Sequence, residues 1–81
     1  MAAEQNIGKV VRYHRKKAGL SQHELAKLAG VGKTAVFDLE KEKETVQLDT
    51  LRKILLALNI SVRLESPLMK NYEAEAQNEA G

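Results

Sequence analysis

The sequence predicts a mainly α fold: four helices in one small bundle, followed by a single strand-like segment. Three observations predict it. Between Leu20 and Glu40 two short helical patterns flank a turn that contains Gly30 and Gly32, the order of a helix-turn-helix. Apolar residues recur at helical spacing on both sides of that unit. From Ile60 to Glu65 the period changes to two, apolar alternating with polar, for one short run.

Each element has its own justification. Ile7, Val10, Val11, His14 and Ala18 place a first helix from about Glu4 to Ala18, with Gly19 ending it. Ser21 caps the second helix, and Glu24 three residues later closes a capping box. Gly30 stands where the chain must leave that helix through a left-handed conformation. Lys33 to Glu40 form the third helix, headed by Gly32, a weaker cap than serine or threonine. Ala26 is small where these two helices cross, and Leu25, Leu28, Ala29, Val31, Val36 and Leu39 supply the buried seam. Lys41 to Thr45 break the apolar period and read as an exposed connection. Leu48, Leu51, Ile54, Leu55 and Leu58 restore it as a fourth helix, capped by Asp49 and stopped at Asn59, with Leu48 and Leu51 covering the seam.

The strand-like run sets Ile60, Val62 and Leu64 against Ser61, Arg63 and Glu65, and Pro67 ends it. No second strand candidate exists in the chain, and an isolated strand leaves its backbone groups unpaired. Pairing with the same strand of a second copy about a two-fold axis resolves this, which predicts a homodimer; the alternative is an extended strap on its own bundle. The domain is then residues 1–66, with its dimerisation strand at 60–65. Residues 67–81 form a flexible polar tail, disordered or a frayed helix.

Composition narrows the function. Eighty-one residues make one domain, and with 43% apolar residues but only three aromatics (Tyr13, Phe37 and Tyr72) its core is thin, which again favours an oligomer. The absence of cysteine excludes disulfides, thiolate metal sites and a cysteine nucleophile. His14, placed on the apolar stripe of the first helix, and His23 lack the further ligands of a metal site, so neither metal nor cofactor is expected. No nucleophile–base pair or phosphate loop suggests an enzyme. Without a secretion signal or a membrane span, a cytoplasmic protein is expected. The net charge of +2 is unevenly spread: residues 1–43 hold nine Lys and Arg against five Asp and Glu, whereas residues 44–81 hold four against six. The basic excess gathers in Lys9, Arg12, Arg15, Lys16 and Lys17, next to a unit of the size and order that lays its second helix in the DNA major groove.

These residues resemble the Xre/Cro-type repressor family, whose pattern is present as Leu20-Ser21-Gln22, Leu25-Ala26, Gly30-Val31 and Glu40 across roughly residues 5–58. The resemblance implies a lambda-repressor-like bundle. Leu48, Thr50, Lys53-Ile54-Leu55, Leu58 and the run Ile60-Ser61-Val62-Arg63-Leu64 are similar to the HipB antitoxin subgroup. That similarity implies a strand paired across the dimer, repression at operators in its own promoter, and a HipA-type serine/threonine kinase toxin as partner. The chain departs from the family pattern at Gly32, at Phe37, where a polar residue is usual, and at Lys41-Glu42-Lys43, where glycine is frequent.

On this reading Lys33, Thr34, Phe37 and Asp38 share the outward face of the third helix and contact base edges. Lys33 donates to guanine, Thr34 and Phe37 meet thymine methyls, and Asp38 accepts from cytosine or orients Lys33. Gln22 at the head of the second helix grips a phosphate, with Lys43 and Thr45 beyond the third helix and Arg12, Arg15 and Lys16 on the first. Glu40 reads as structural, paired with a basic side chain of the first helix. The expected partner is a palindromic operator in double-stranded DNA. Two alternatives stand beside the antitoxin: a stand-alone or phage-type repressor without a toxin, and a protein-interaction module that has lost DNA binding.

Overall fold

In the computed structural model, which describes residues 6–80, five helices follow one another: α1 (Ile7–Lys17), α2 (Gln22–Ala29), α3 (Lys33–Glu40), α4 (Leu48–Ala57) and α5 (Met69–Ala80). The first four form the expected bundle. The fifth lies in the segment after Pro67 that the sequence reads as a flexible tail, disordered or a frayed helix, so the described residues hold five helices rather than four. None of the helices is long and apolar enough to cross a membrane.

Helix α2 is central, packed on α3 on one side and on α4 on the other, while α1 lies against α3. Val11, Leu25, Ala26, Val36, Leu39, Ile54 and Leu55 form the buried core. Leu20, Ala29, Val31, Leu51, Leu58 and Ile60 close it as half-buried neighbours. Two of the expected seam residues lie outside it: Leu28 and Leu48 are each 62% exposed. Leu28 falls just beyond the arc of α2 covered by Leu25 and Ala26, and Leu48, at the first position of α4, lies a full turn before Leu51 reaches the core.

Helix α1 is rotated relative to its expected stripe. It buries Gly8, Val11 and Arg15, three positions at helical spacing, while Ile7, His14 and Ala18 are exposed. The His14 ring instead shares a 2.7 Å hydrogen bond with the carbonyl of Val10, one turn earlier. The rotation has two causes. Gly8 lets the backbone of α1 approach α3 so closely that a Cβ there would overlap the carbonyl oxygen of Leu39. Arg15 turns inward to reach an anionic partner at the end of α3.

Local capping follows the sequence closely. Asn6 accepts from the amide of Lys9 at the head of α1. Ser21 Oγ accepts from the amide of Glu24 at 3.0 Å, and Glu24 Oε1 accepts from the amide of Ser21 at 2.8 Å, the reciprocal capping box. Asp49 is not the cap of α4: Gln47 holds that position, and Asp49 sits in the first turn, accepting from the amide of Thr50. Its charge there still favours the positive end of the helix.

All four bundle helices end the same way. The amides of Leu20, Val31, Lys43 and Ile60 each bond the carbonyl five residues back, on Arg15, Ala26, Asp38 and Leu55. This is the Schellman motif, which turns one residue into the left-handed region. Gly19 and Gly30 fill that position in α1 and α2, and Asn59 at φ 61° fills it in α4. In α3 the position falls on Glu42 at φ 67°, a side chain that pays a steric penalty there.

The run from Ile60 to Glu65 is neither helical nor paired as a strand. Ile60 tucks against the core, but Val62 and Leu64 are exposed. Among the described residues there is no second edge to complete a ladder, so the segment stays single. The radius of gyration, 15.4 Å, exceeds the roughly 12 Å of a compact chain of this length.

Candidate nucleic-acid interface

The outward face of α3 is built by exclusion. Val36 and Leu39 are consumed by the core, which leaves Lys33, Thr34 and Phe37 together on the solvent side. Gly32 precedes them in extended backbone and offers no side-chain cap. The face is therefore open along its first two turns. Lys41, one turn beyond Phe37, lays its ammonium 4.6 Å from the centre of the phenyl ring. That cation–π contact makes Lys41 part of the same surface. The i to i+4 spacing of Phe37 and Lys41 was the available signal.

Asp38 is half-buried and already engaged: its Oδ1 lies 3.5 Å from Nζ of Lys43. Such an exposed pair contributes about 0–1 kcal/mol, yet it lowers the repulsion Asp38 would exert on a phosphate. Neither residue is left as an isolated charge. Thr45 follows on the exposed connection, and Arg12 and Lys16 are exposed on α1.

Glu40 anchors the support of this face. Arg15 donates from Nε to Glu40 Oε2 at 2.6 Å and from Nη2 to Oε1 at 2.9 Å. Its Nη1 donates to the carbonyl of Leu20 at 2.8 Å. Gln22 Nε2 also donates to Glu40 Oε1, at 3.2 Å. One carboxylate thus fastens α1, the start of α2 and the end of α3. The side chains of Arg15 and Glu40 are only 10% and 4% exposed.

Electrostatics follow from this packing. Burial pushes the Glu40 carboxyl up, but hydrogen bonds from Arg15 and Gln22 and the charges of Arg15 and Arg12 outweigh it. Glu40 therefore titrates below the ordinary carboxylate range. Its hydrogen bond and charge in turn hold Arg15 above its usual value, against the opposing effect of burial.

Of the expected phosphate-contacting residues, Arg15 is the one that lies buried in an ion pair. Each of its three nitrogens donates within the protein, to Glu40 or to the carbonyl of Leu20, so its guanidinium is turned inward. The expected pairing of Glu40 with a basic residue of the first helix is met by this same Arg15. Gln22 sits beside the outward face, its amide oriented by Glu40.

Comparison with known proteins places this arrangement. The sequence profile of the helix-turn-helix family matches residues 11–64. A protein described as an uncharacterized HTH-type transcriptional regulator y4mF, from Sinorhizobium fredii (strain NBRC 101917 / NGR234), is 40% identical over 62 residues, covering 76% of this chain and 82% of the relative. A chain of the solved HipA-HipB-O2-O3 complex is similar in structure, with a TM-score of 0.70 at 25% identity over 83% of this chain and 97% of that one. A chain from a HipB complex with an O2 20mer matches with the same TM-score and identity, over 83% of this chain and 96% of that one.

Proposed function

The chain belongs to the helix-turn-helix family of transcriptional regulators, and from that premise we propose that it is a homodimeric, sequence-specific repressor that acts as the antitoxin of a toxin–antitoxin pair. One observation carries the DNA-binding part: α3 keeps Lys33, Thr34 and Phe37 free on a single face, while Glu40 at its end is locked to α1 and α2. A reading helix must be held rigidly against its support to place side chains on base edges. Lys33 donates to guanine, Thr34 and Phe37 contact thymine methyls, and Asp38 with Lys43 borders the face. Gln22, Arg12, Lys16, Lys43 and Thr45 contact phosphates.

Dimerisation would use Ile60, Val62 and Leu64, whose segment has no strand partner among the described residues. A two-fold dimer presents two α3 helices to half-sites about one helical turn apart. The HipA-HipB-O2-O3 complex among the structural neighbours supports a HipA-like partner. That this partner is a kinase toxin, and that the operator lies in the protein's own promoter, is what the resemblance to the HipB subgroup implies.

Footprinting on the DNA upstream of its gene tests the reading. A protected palindrome, with affinity that falls steeply as salt rises, is the expected result. Protection absent at every salt concentration, with the protein folded, would overturn it. The kinase part is tested separately by co-purification with the product of the adjoining reading frame. A stand-alone repressor would bind the operator equally well and retain no kinase.

A further inference from the structure

We propose that α5 docks on the outer face of α4 in a second copy of this chain, so that each subunit of the dimer clasps the other. The proposal rests on the dimer reading above and adds a second, charge-matched contact to it.

Helix α5 has twelve residues and no extensive contact with the other four helices. Only Met69 and Ala76 are half-buried among its described side chains. An isolated helix of this length is marginal in water, and helices are held chiefly by burial of one face. Something must cover α5 for it to persist.

The face it would bury is identifiable. Met69, Tyr72 and Ala76 share one side of α5 at helical spacing, and Tyr72 is exposed. Glu73 and Glu75 flank that stripe on its two edges. On α4 the complementary surface is present. Leu48 and Leu56, two turns apart, are 62% and 78% exposed, with Arg52 between them on the same row and Lys53 beside it. An apolar stripe flanked by two carboxylates, with Lys70 beside Glu73, thus faces a row on which the cations Arg52 and Lys53 outnumber the single carboxylate of Asp49.

The connection supplies the route. The Schellman turn at Asn59 ends α4, and Val62, Leu64 and Leu68 are all exposed along the arm that follows. A surface with this many uncovered large apolar groups marks an interaction site. A second copy is the occupant that makes the contact self-complementary: under two-fold symmetry each acidic α5 meets the other subunit's basic α4, and the contact occurs twice.

A charge-swap experiment tests this, using two full-length variants. One carries Arg52→Glu and Lys53→Glu; the other carries Glu73→Lys and Glu75→Lys. All four residues are exposed, so the bundle tolerates both changes, which circular dichroism verifies. Docking in trans predicts that each variant alone dimerises at least about tenfold more weakly than the parent chain. Mixed one to one, they form heterodimers at parental affinity, because both contacts then pair opposite charges. Equal dimerisation of parent and variants overturns the docking while leaving the paired arms intact. Docking of α5 on its own α4 would give no recovery on mixing, with recovery instead in a single chain carrying all four substitutions; that result also overturns the proposal. A parent chain that is monomeric at every concentration removes the dimer reading itself.

Discussion

Arg15 on α1 and Glu40 at the end of α3, 25 positions apart, meet in a two-pronged ion pair at 2.6 and 2.9 Å, with almost no solvent access. Removing one partner of such a buried pair leaves an uncompensated charge, which destabilises by roughly 3–5 kcal/mol. Arg15→Ala and Glu40→Ala should each lower the thermal midpoint by more than about 10 °C. Two variants that melt within a few degrees of the parent would show that the pair contributes little. The double substitution should destabilise by less than the two singles summed, because the second removal leaves nothing further unpaired.

The same pair sets a pH dependence with a definite sign. Glu40 titrates lower in the folded chain than the roughly 4.3 of an unfolded glutamate. The native state therefore binds fewer protons, and its stabilisation is complete above the unfolded value. It disappears as pH falls through the folded value. Urea unfolding from pH 7 to pH 3 should show stability declining below about pH 5, and Glu40→Gln, weaker at pH 7, should show a shallower decline. Equal slopes would assign the acid sensitivity to other carboxylates.

Gly8 is a packing residue. In most helices alanine is favoured over glycine by about 1 kcal/mol, yet a Cβ here meets the carbonyl oxygen of Leu39. Gly8→Ala should destabilise by about 1–3 kcal/mol, as overpacking does. Chemical denaturation measures it directly, and an increase in stability would refute the close approach of α1 to α3.

Glu42 gives the opposite expectation. It occupies the left-handed position that glycine or asparagine fills in the other three bundle helices. Glu42→Gly removes a penalty of about 1–2 kcal/mol and incurs part of it back through the freer unfolded chain. A net gain of roughly 0.5–1 kcal/mol is expected, read as a higher denaturation midpoint at unchanged slope. A loss of stability would mean that the carboxylate makes a contact worth more than the strain.

Lys33, Thr34 and Phe37 should affect binding without affecting the fold. Alanine at each should weaken the operator complex by about 1–3 kcal/mol. Thermal melting should stay within a degree or two for Lys33 and Thr34, which are exposed. It should fall by a few degrees for Phe37, which is 41% exposed and carries the Lys41 ammonium over its ring. Arg12→Ala and Lys16→Ala should weaken operator and random DNA alike and flatten the salt dependence. Base-position preferences that survive all three α3 substitutions would move the reading surface elsewhere.

The sequence by itself determined the local events, because their causes lie within a few residues. Ser21 and Glu24 specify a capping box through a three-residue spacing, Gly30 and Asn59 specify left-handed stops, and Val36 with Leu39 specifies which side of α3 turns inward. The outward face of Lys33, Thr34 and Phe37 followed from that same periodicity. Tertiary structure alone decided the rotation of α1, since apolar spacing gives no sign that an arginine would take an inner position or that a glycine would serve as a contact. Both choices depend on α3 arriving from a distant part of the chain, where Glu40 supplies the counter-charge and the Leu39 carbonyl the near surface. The arm shows the converse: alternation at Ile60, Val62 and Leu64 describes half of a sheet, but a ladder requires a second edge that the described residues do not carry.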